Sequence, residues 1–141
     1  MSSLAVVVTL VFLIFGLQEN TDATRAGTYD RNLESLIQLR LQAAQDEGLS
    51  ALVGIYLDGD TRELKSSDRT RLFMWVSALW GVLEKAYFAN EYGTMGPAEW
   101  ERFATQICLS RARITDDTFW AGLESLFSEQ FRDYVADNCS Q

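Results

Sequence analysis

LFMWVSALWGVLEKAYFANEYGTMGPAEWERF, residues 72–103, gathers three tryptophans, two tyrosines and three phenylalanines around the adjacent Glu84 and Lys85. Such density has two explanations: an aromatic binding site around a carboxylate, or the interior of a small helical protein. Spacing separates them. Leu72, Val76, Leu79, Leu83 and Ala86 recur at three- and four-residue intervals, the period of one helix face, and Phe73, Trp80 and Tyr87 widen that stripe beyond half the circumference. A helix this apolar belongs at the centre of a bundle. Its narrower polar strip holds Ser77, Gly81, Glu84 and Lys85, where small side chains let a neighbouring helix approach closely. Ser67 or Asp68 is the expected N-cap. Gly93 and Gly96 bracket the turn that follows, and Pro97 suits the first position of the next helix, where an N–H would have no partner.

Upstream, Tyr29, Leu33, Leu36, Ile37, Leu41 and Ala44 keep near-helical spacing, so a continuous helix extends to about Gly48, which ends it. Leu49, Leu52, Val53 and Tyr56 repeat the pattern of a short second helix, stopped by the polar DGDTRE segment at 58–63. Downstream, Trp100, Phe103, Ala104 and Ile107 share one face of a fourth helix. A fifth begins around Thr115 or Asp116 and presents Trp120, Leu123 and Phe127. Ser128 then caps a last short helix with Phe131, Tyr134 and Val135. The expected fold is all-α: an N-terminal membrane helix continuing into a compact bundle of about four to six helices. Trp80, Trp100 and Trp120 each sit on an apolar stripe and are expected to be largely buried.

MSSLAVVVTLVFLIFGL, residues 1–17, carries no charged side chain. As a helix it spans roughly 25 Å at about 1.5 Å per residue, barely a membrane crossing. A cleaved signal peptide is one alternative, but MSS lacks a basic n-region and TDA, ending at Ala23, is only a passable cleavage site. A buried core helix is another, yet an all-round apolar surface is hard to bury in so small a domain. The expected organisation is a transmembrane anchor over residues 1–17, held in the lipid bilayer, and an acidic helical domain over residues 18–141. Arg25 and Arg31 follow the anchor closely and no basic residue precedes it, so the positive-inside rule places the domain in the cytoplasm. Thiols stay reduced there, and Cys108 and Cys139 are expected to be free, whereas an exported domain could bridge the C-terminal tail to the fourth helix.

The domain holds all 12 basic and 20 acidic groups, for a net charge of −8. That balance opposes binding to a phosphate backbone, and no nucleic-acid partner is expected. The chain has no histidine, which removes the commonest general base and metal ligand, and with them Ser-His-Asp, Cys-His and His-based zinc chemistry. Two cysteines match no CxxC pattern and cannot build a four-thiolate site. DGDTRE resembles a calcium loop at its first and third positions only. Arg62 takes the fifth position, Glu63 replaces the turn glycine, and Arg69 stands where the closing glutamate belongs. GxxxxGK[ST], GxGxxG and GxSxG are absent. No cofactor, no metal and no catalytic residue is expected, and the chain reads as a non-enzyme.

Glu84 stands out, with Trp80 one turn before it and Tyr87 and Phe88 one turn after. Glutamate is seldom buried unpaired, so the first reading is a carboxylate on the solvated strip, paired with Lys85 or hydrogen-bonded to a helix N-terminus. The second is an acid with a raised pKa in an aromatic pocket, partnered by Tyr87, Tyr92 or another carboxylate. Glu84, Tyr87, Tyr92 and Trp100 therefore form the candidate ligand or interaction groove.

VVVTLVFLIFGLQENTDATRAGTYD (residues 6–30), WGVLEKAYFANEYGTMGPAEWERF (80–103) and FWAGLESLFSEQFRDYV (119–135) together resemble a family of small uncharacterised bacterial proteins. Those proteins have one N-terminal transmembrane helix and an aromatic-rich C-terminal helical domain. The family motifs are an apolar helix running into a segment like QxRQNTxA, then aromatic and glycine spacings; Glu19 stands where the family usually has a basic residue. The resemblance implies a single-pass protein of the bacterial inner membrane and assigns no activity. The expected function is protein interaction or scaffolding at the membrane, with a protein partner. The alternative is a small-ligand or lipid-binding helical domain. A scaffold exposes a sizeable apolar patch, whereas a ligand binder holds a preformed enclosed pocket with convergent polar groups.

Overall fold

A computed structural model describes residues 3–59 and 61–139. The described residues form six helices and no strand: α1 (Ser3–Gln45), α2 (Glu47–Asp58), α3 (Ser66–Glu91), α4 (Pro97–Ala112), α5 (Asp117–Glu124) and α6 (Glu129–Cys139). The class is all-α, with the long N-terminal helix packed into a bundle. The stripe Leu72, Val76, Trp80, Leu83 and Ala86 is fully buried, so α3 is the central element and packs against α1, α2, α4 and α5, while α6 lies on α4.

α1 divides into two parts that differ in burial. Every side chain described from Val6 to Ala26 is exposed, Phe12 and Leu17 among them. This is the described helix long and apolar enough to cross a membrane, and none of its apolar window is buried in the fold. The core-helix alternative is overturned for residues 6–17, which are all exposed, and the first residues of that expectation lie outside the described ones. Beyond this stretch the helix docks: Asn32, Leu36 and Ala43 are buried. Trp75 of α3 donates its indole N–H to the Leu39 carbonyl of α1 at 3.2 Å.

The break after α1 lies at Asp46 and not at Gly48. Asp46 adopts an extended conformation and its Oδ1 accepts from the Leu49 N–H at 3.0 Å, capping α2. Its carboxylate also pairs with Arg71 of α3. Gly48 sits inside the first turn of α2. An aspartate cap satisfies an otherwise orphaned N–H, so it starts a helix where glycine alone would only have permitted an ending. α2 stops at Gly59, whose φ of 80° is in the left-handed region and whose N–H reaches back to the Tyr56 carbonyl at 3.2 Å.

α3 begins at Ser66, slightly before either expected cap, without a side-chain cap bond. Pro97 opens α4 as expected. Asp116 caps α5, accepting from the N–H groups of Thr118 (3.0 Å) and Phe119 (3.1 Å), and pairs with Arg69 at 2.8 Å. The Thr118 hydroxyl, the Phe119 N–H and the Arg69 guanidinium together hold the Asp116 carboxyl below its ordinary value of 3.8, against the opposing effect of burial.

Trp80 meets the expectation of burial, but Trp100 and Trp120 are only half-buried. Both lie on outer helices, where the covered face is narrower than an indole. Trp120 offers one ring face to the Arg111 guanidinium, 4.5 Å from the ring centroid. Trp100 packs at a tilt into a cluster with Tyr87 and Tyr134, with centroids at 6.2 and 5.6 Å.

Candidate functional site

Glu84 lies at the edge of the core, half-buried, and its partner comes from another helix. One carboxylate oxygen, Oε1, accepts from both the backbone N–H and the hydroxyl of Ser128, each at 2.8 Å. The Ser128 hydroxyl oxygen in turn accepts from the Phe131 N–H at 3.4 Å. Glu84 therefore anchors the start of α6, which is the helix-N-terminus form of its first reading, and Lys85 takes no part. A carboxylate near those N–H groups is favoured by the helix dipole. Replacing Glu84 with alanine removes both bonds and is expected to cost about 1–2 kcal/mol. Faster amide hydrogen exchange across residues 129–139 should accompany the loss; unchanged exchange there would show that α6 is held by other contacts.

The other candidates do not converge on Glu84. Tyr87 is buried among aromatic rings, with centroids 5.4 Å from Phe131 and 5.0 Å from Tyr134. Burial pushes its hydroxyl pKa up, and the charges of Glu91 and Asp133 push it further the same way. Trp100 joins the same cluster. Tyr92 is 75% exposed and touches the fold by stacking on Phe88 at 5.9 Å. Five residues past Tyr87, it is rotated about 140° around the axis at about 100° per residue, and it falls where α3 ends. Of the expected groove residues, Tyr87 and Trp100 share one aromatic cluster, Glu84 is bonded to Ser128, and Tyr92 faces solvent.

Of the concavities elsewhere in the fold, two border the bundle core, and none of these four residues lines them. One, of 840 Å³, lies between α4, α5 and α6 beside Arg111, Arg132 and the two cysteines. Cys108 and Cys139 are joined in a disulfide, with Cα atoms 4.8 Å apart. The expectation of free thiols is overturned, because α6 folds back on α4 and brings its last residue beside the C-terminal part of that helix. The second concavity, of 470 Å³, is a groove where α1, α2, α3 and α4 meet. It is bordered by Leu36, Arg40, Leu57, Trp75 and Arg113 among others. These residues come from four helices, so no local spacing announces the groove. Unpaired basic residues on an acidic chain were the one available signal. Among the described residues no cluster of three or more carboxylates and thiols is placed to hold a metal ion. No family model, curated protein or solved structure matches this chain.

Proposed function

We propose that this chain is a membrane-tethered, non-enzymatic interaction module whose helical domain holds a protein partner beside the bilayer. The observation that carries this reading is uncovered apolar surface beyond the membrane-spanning half of α1. Ile37 and Leu41, about one turn apart on α1, are 43% and 45% exposed, and Leu57 at the end of α2 is 48% exposed. Large apolar side chains grouped on a docked helix favour a covering partner. The aromatic cluster around Tyr87 is filled by its own rings.

The tether is supported by the uncovered apolar window and by the continuity of α1. Cleavage after Ala23 would sever a helix whose continuation reaches the core at Asn32 and Leu36. For orientation, two signals oppose each other. Arg25 and Arg31 favour a cytoplasmic domain, while the Cys108–Cys139 bond favours an oxidising compartment, the periplasmic face if the membrane is a bacterial inner membrane. The disulfide outweighs a bias of two charges, and Arg25 is already engaged by the domain through the Gly93 carbonyl at 3.3 Å.

A photo-crosslinking residue placed at position 37 or 41 in native membranes tests the partner. One defined protein adduct is expected from both positions, lost from position 37 when Leu41 is changed to Asp. No adduct at either position, or the same adducts from exposed Gln130 on α6, would overturn the reading.

A further inference from the structure

We infer that the groove between α1, α2, α3 and α4 is a binding site for a single-chain anionic amphiphile of the fatty-acid class. This goes beyond the partner-binding reading and does not depend on it. The groove volume of 470 Å³ falls among small-molecule sites of roughly 300–1,000 Å³. Its walls are apolar, with Leu36 and Ala43 from α1, Leu57 from α2, and Trp75 and Leu79 from α3.

Three polar side chains along the walls, Trp75, Tyr56 and Gln106, are already engaged within the protein. The Trp75 indole N–H donates to the Leu39 carbonyl, so its ring serves as an apolar surface. The Tyr56 hydroxyl donates to the Ser110 carbonyl at 3.3 Å, and the Gln106 amide donates to the Ser110 hydroxyl at 3.1 Å. A polar ligand body would leave its donors and acceptors without partners there, whereas an alkyl chain asks for none.

Charge selects the head group. Arg40 and Arg113 line the groove, and no Asp or Glu does. On a chain where acidic groups outnumber basic ones 20 to 12, that is a selective arrangement. Arg69 and Arg71 are matched by Asp116 and Asp46, but neither Arg40 nor Arg113 has a carboxylate partner among the described residues. An apolar trough with unpaired guanidinium groups complements a hydrocarbon tail ending in a carboxylate.

The test uses the full chain in phosphatidylcholine nanodiscs, exposed to hexadecanoic acid bearing a diazirine on its tail, illuminated, digested and mapped by mass spectrometry. Adducts are expected in the peptides covering residues 36–57 and Trp75, separate from any in the membrane-spanning segment. Unlabelled hexadecanoic acid should compete and hexadecanol should not. Each methylene removed from the competitor should weaken competition about fourfold, the equivalent of ~0.8 kcal/mol, while the tail lies in the groove. The Arg40→Gln/Arg113→Gln variant should reduce groove labelling by roughly tenfold or more and leave labelling of the membrane segment unchanged, which provides the folding and loading control. Ala44→Trp, at an exposed position on the groove wall, should block labelling without removing a charge. Labelling confined to the membrane segment, equal competition by hexadecanol, or unchanged groove labelling in either variant would overturn the inference.

Discussion

Changing Trp80 to alanine is expected to destabilise the domain by about 3–5 kcal/mol, the range for truncating a buried tryptophan. Trp80 has no exposed surface and is the point where α3, α5 and α6 meet. Its ring centroid lies 5.0 Å from Trp120, 5.8 Å from Phe127 and 6.1 Å from Phe131. Removing the indole leaves those three rings facing a void that rigid helices cannot close. A small domain has only about 5–15 kcal/mol in total, so the variant should be marginally folded. Trp100→Ala and Trp120→Ala should cost clearly less, since both indoles keep an edge in water. Trp80→Phe should be milder still. It retains most of the packing and removes a buried indole N–H that sits near the Tyr56 hydroxyl without completing a hydrogen bond. Urea unfolding of the full chain in detergent, followed by emission of the remaining tryptophans, reads all four variants. A midpoint for Trp80→Ala no lower than that for Trp100→Ala would refute this account of the core.

Opening the Cys108–Cys139 bond is the second large effect. Its sequence separation of 31 residues corresponds to about 3–4 kcal/mol of unfolded-chain entropy in the loop-closure treatment. α6 depends on it more than its neighbours do. At 11 residues it is too short to persist as an isolated helix, and its other attachments are Phe131, Val135, the Tyr134 ring against Tyr87 and Trp100, and the Glu84–Ser128 contact. Reduction, or the Cys108→Ser/Cys139→Ser variant, should lower the urea midpoint and release α6 first, seen as exchange of its amides ahead of those in α3. Adding reductant to the double variant should do nothing further. In acid-quenched cells, both cysteines should resist alkylation until reductant is added. Alkylation without reductant would remove the bond and the oxidising-side placement together.

Three features were readable along the chain because each depends on a few neighbouring residues. The buried stripe from Leu72 to Ala86 follows from one helical period. Pro97 and Asp116 mark helix starts through a missing donor and an added acceptor. The uncharged run before Gln18 needs no partner to be recognised as apolar on every side. The boundary between α1 and α2 was harder, since Asp46 and Gly48 send competing local signals and the ion pair from Asp46 to Arg71 adds a contact 25 residues away. The contacts described above join distant segments, Glu84 to Ser128 and Cys108 to Cys139, and Arg40 and Arg113 border one groove from opposite halves of the sequence. Periodicity states which side of a helix turns inward, but not the neighbour it meets or the height at which they touch. Those depend on how six rigid cylinders settle against one another, and that settling placed Tyr92 in solvent, tied Glu84 to α6 and joined two thiols expected to stay apart.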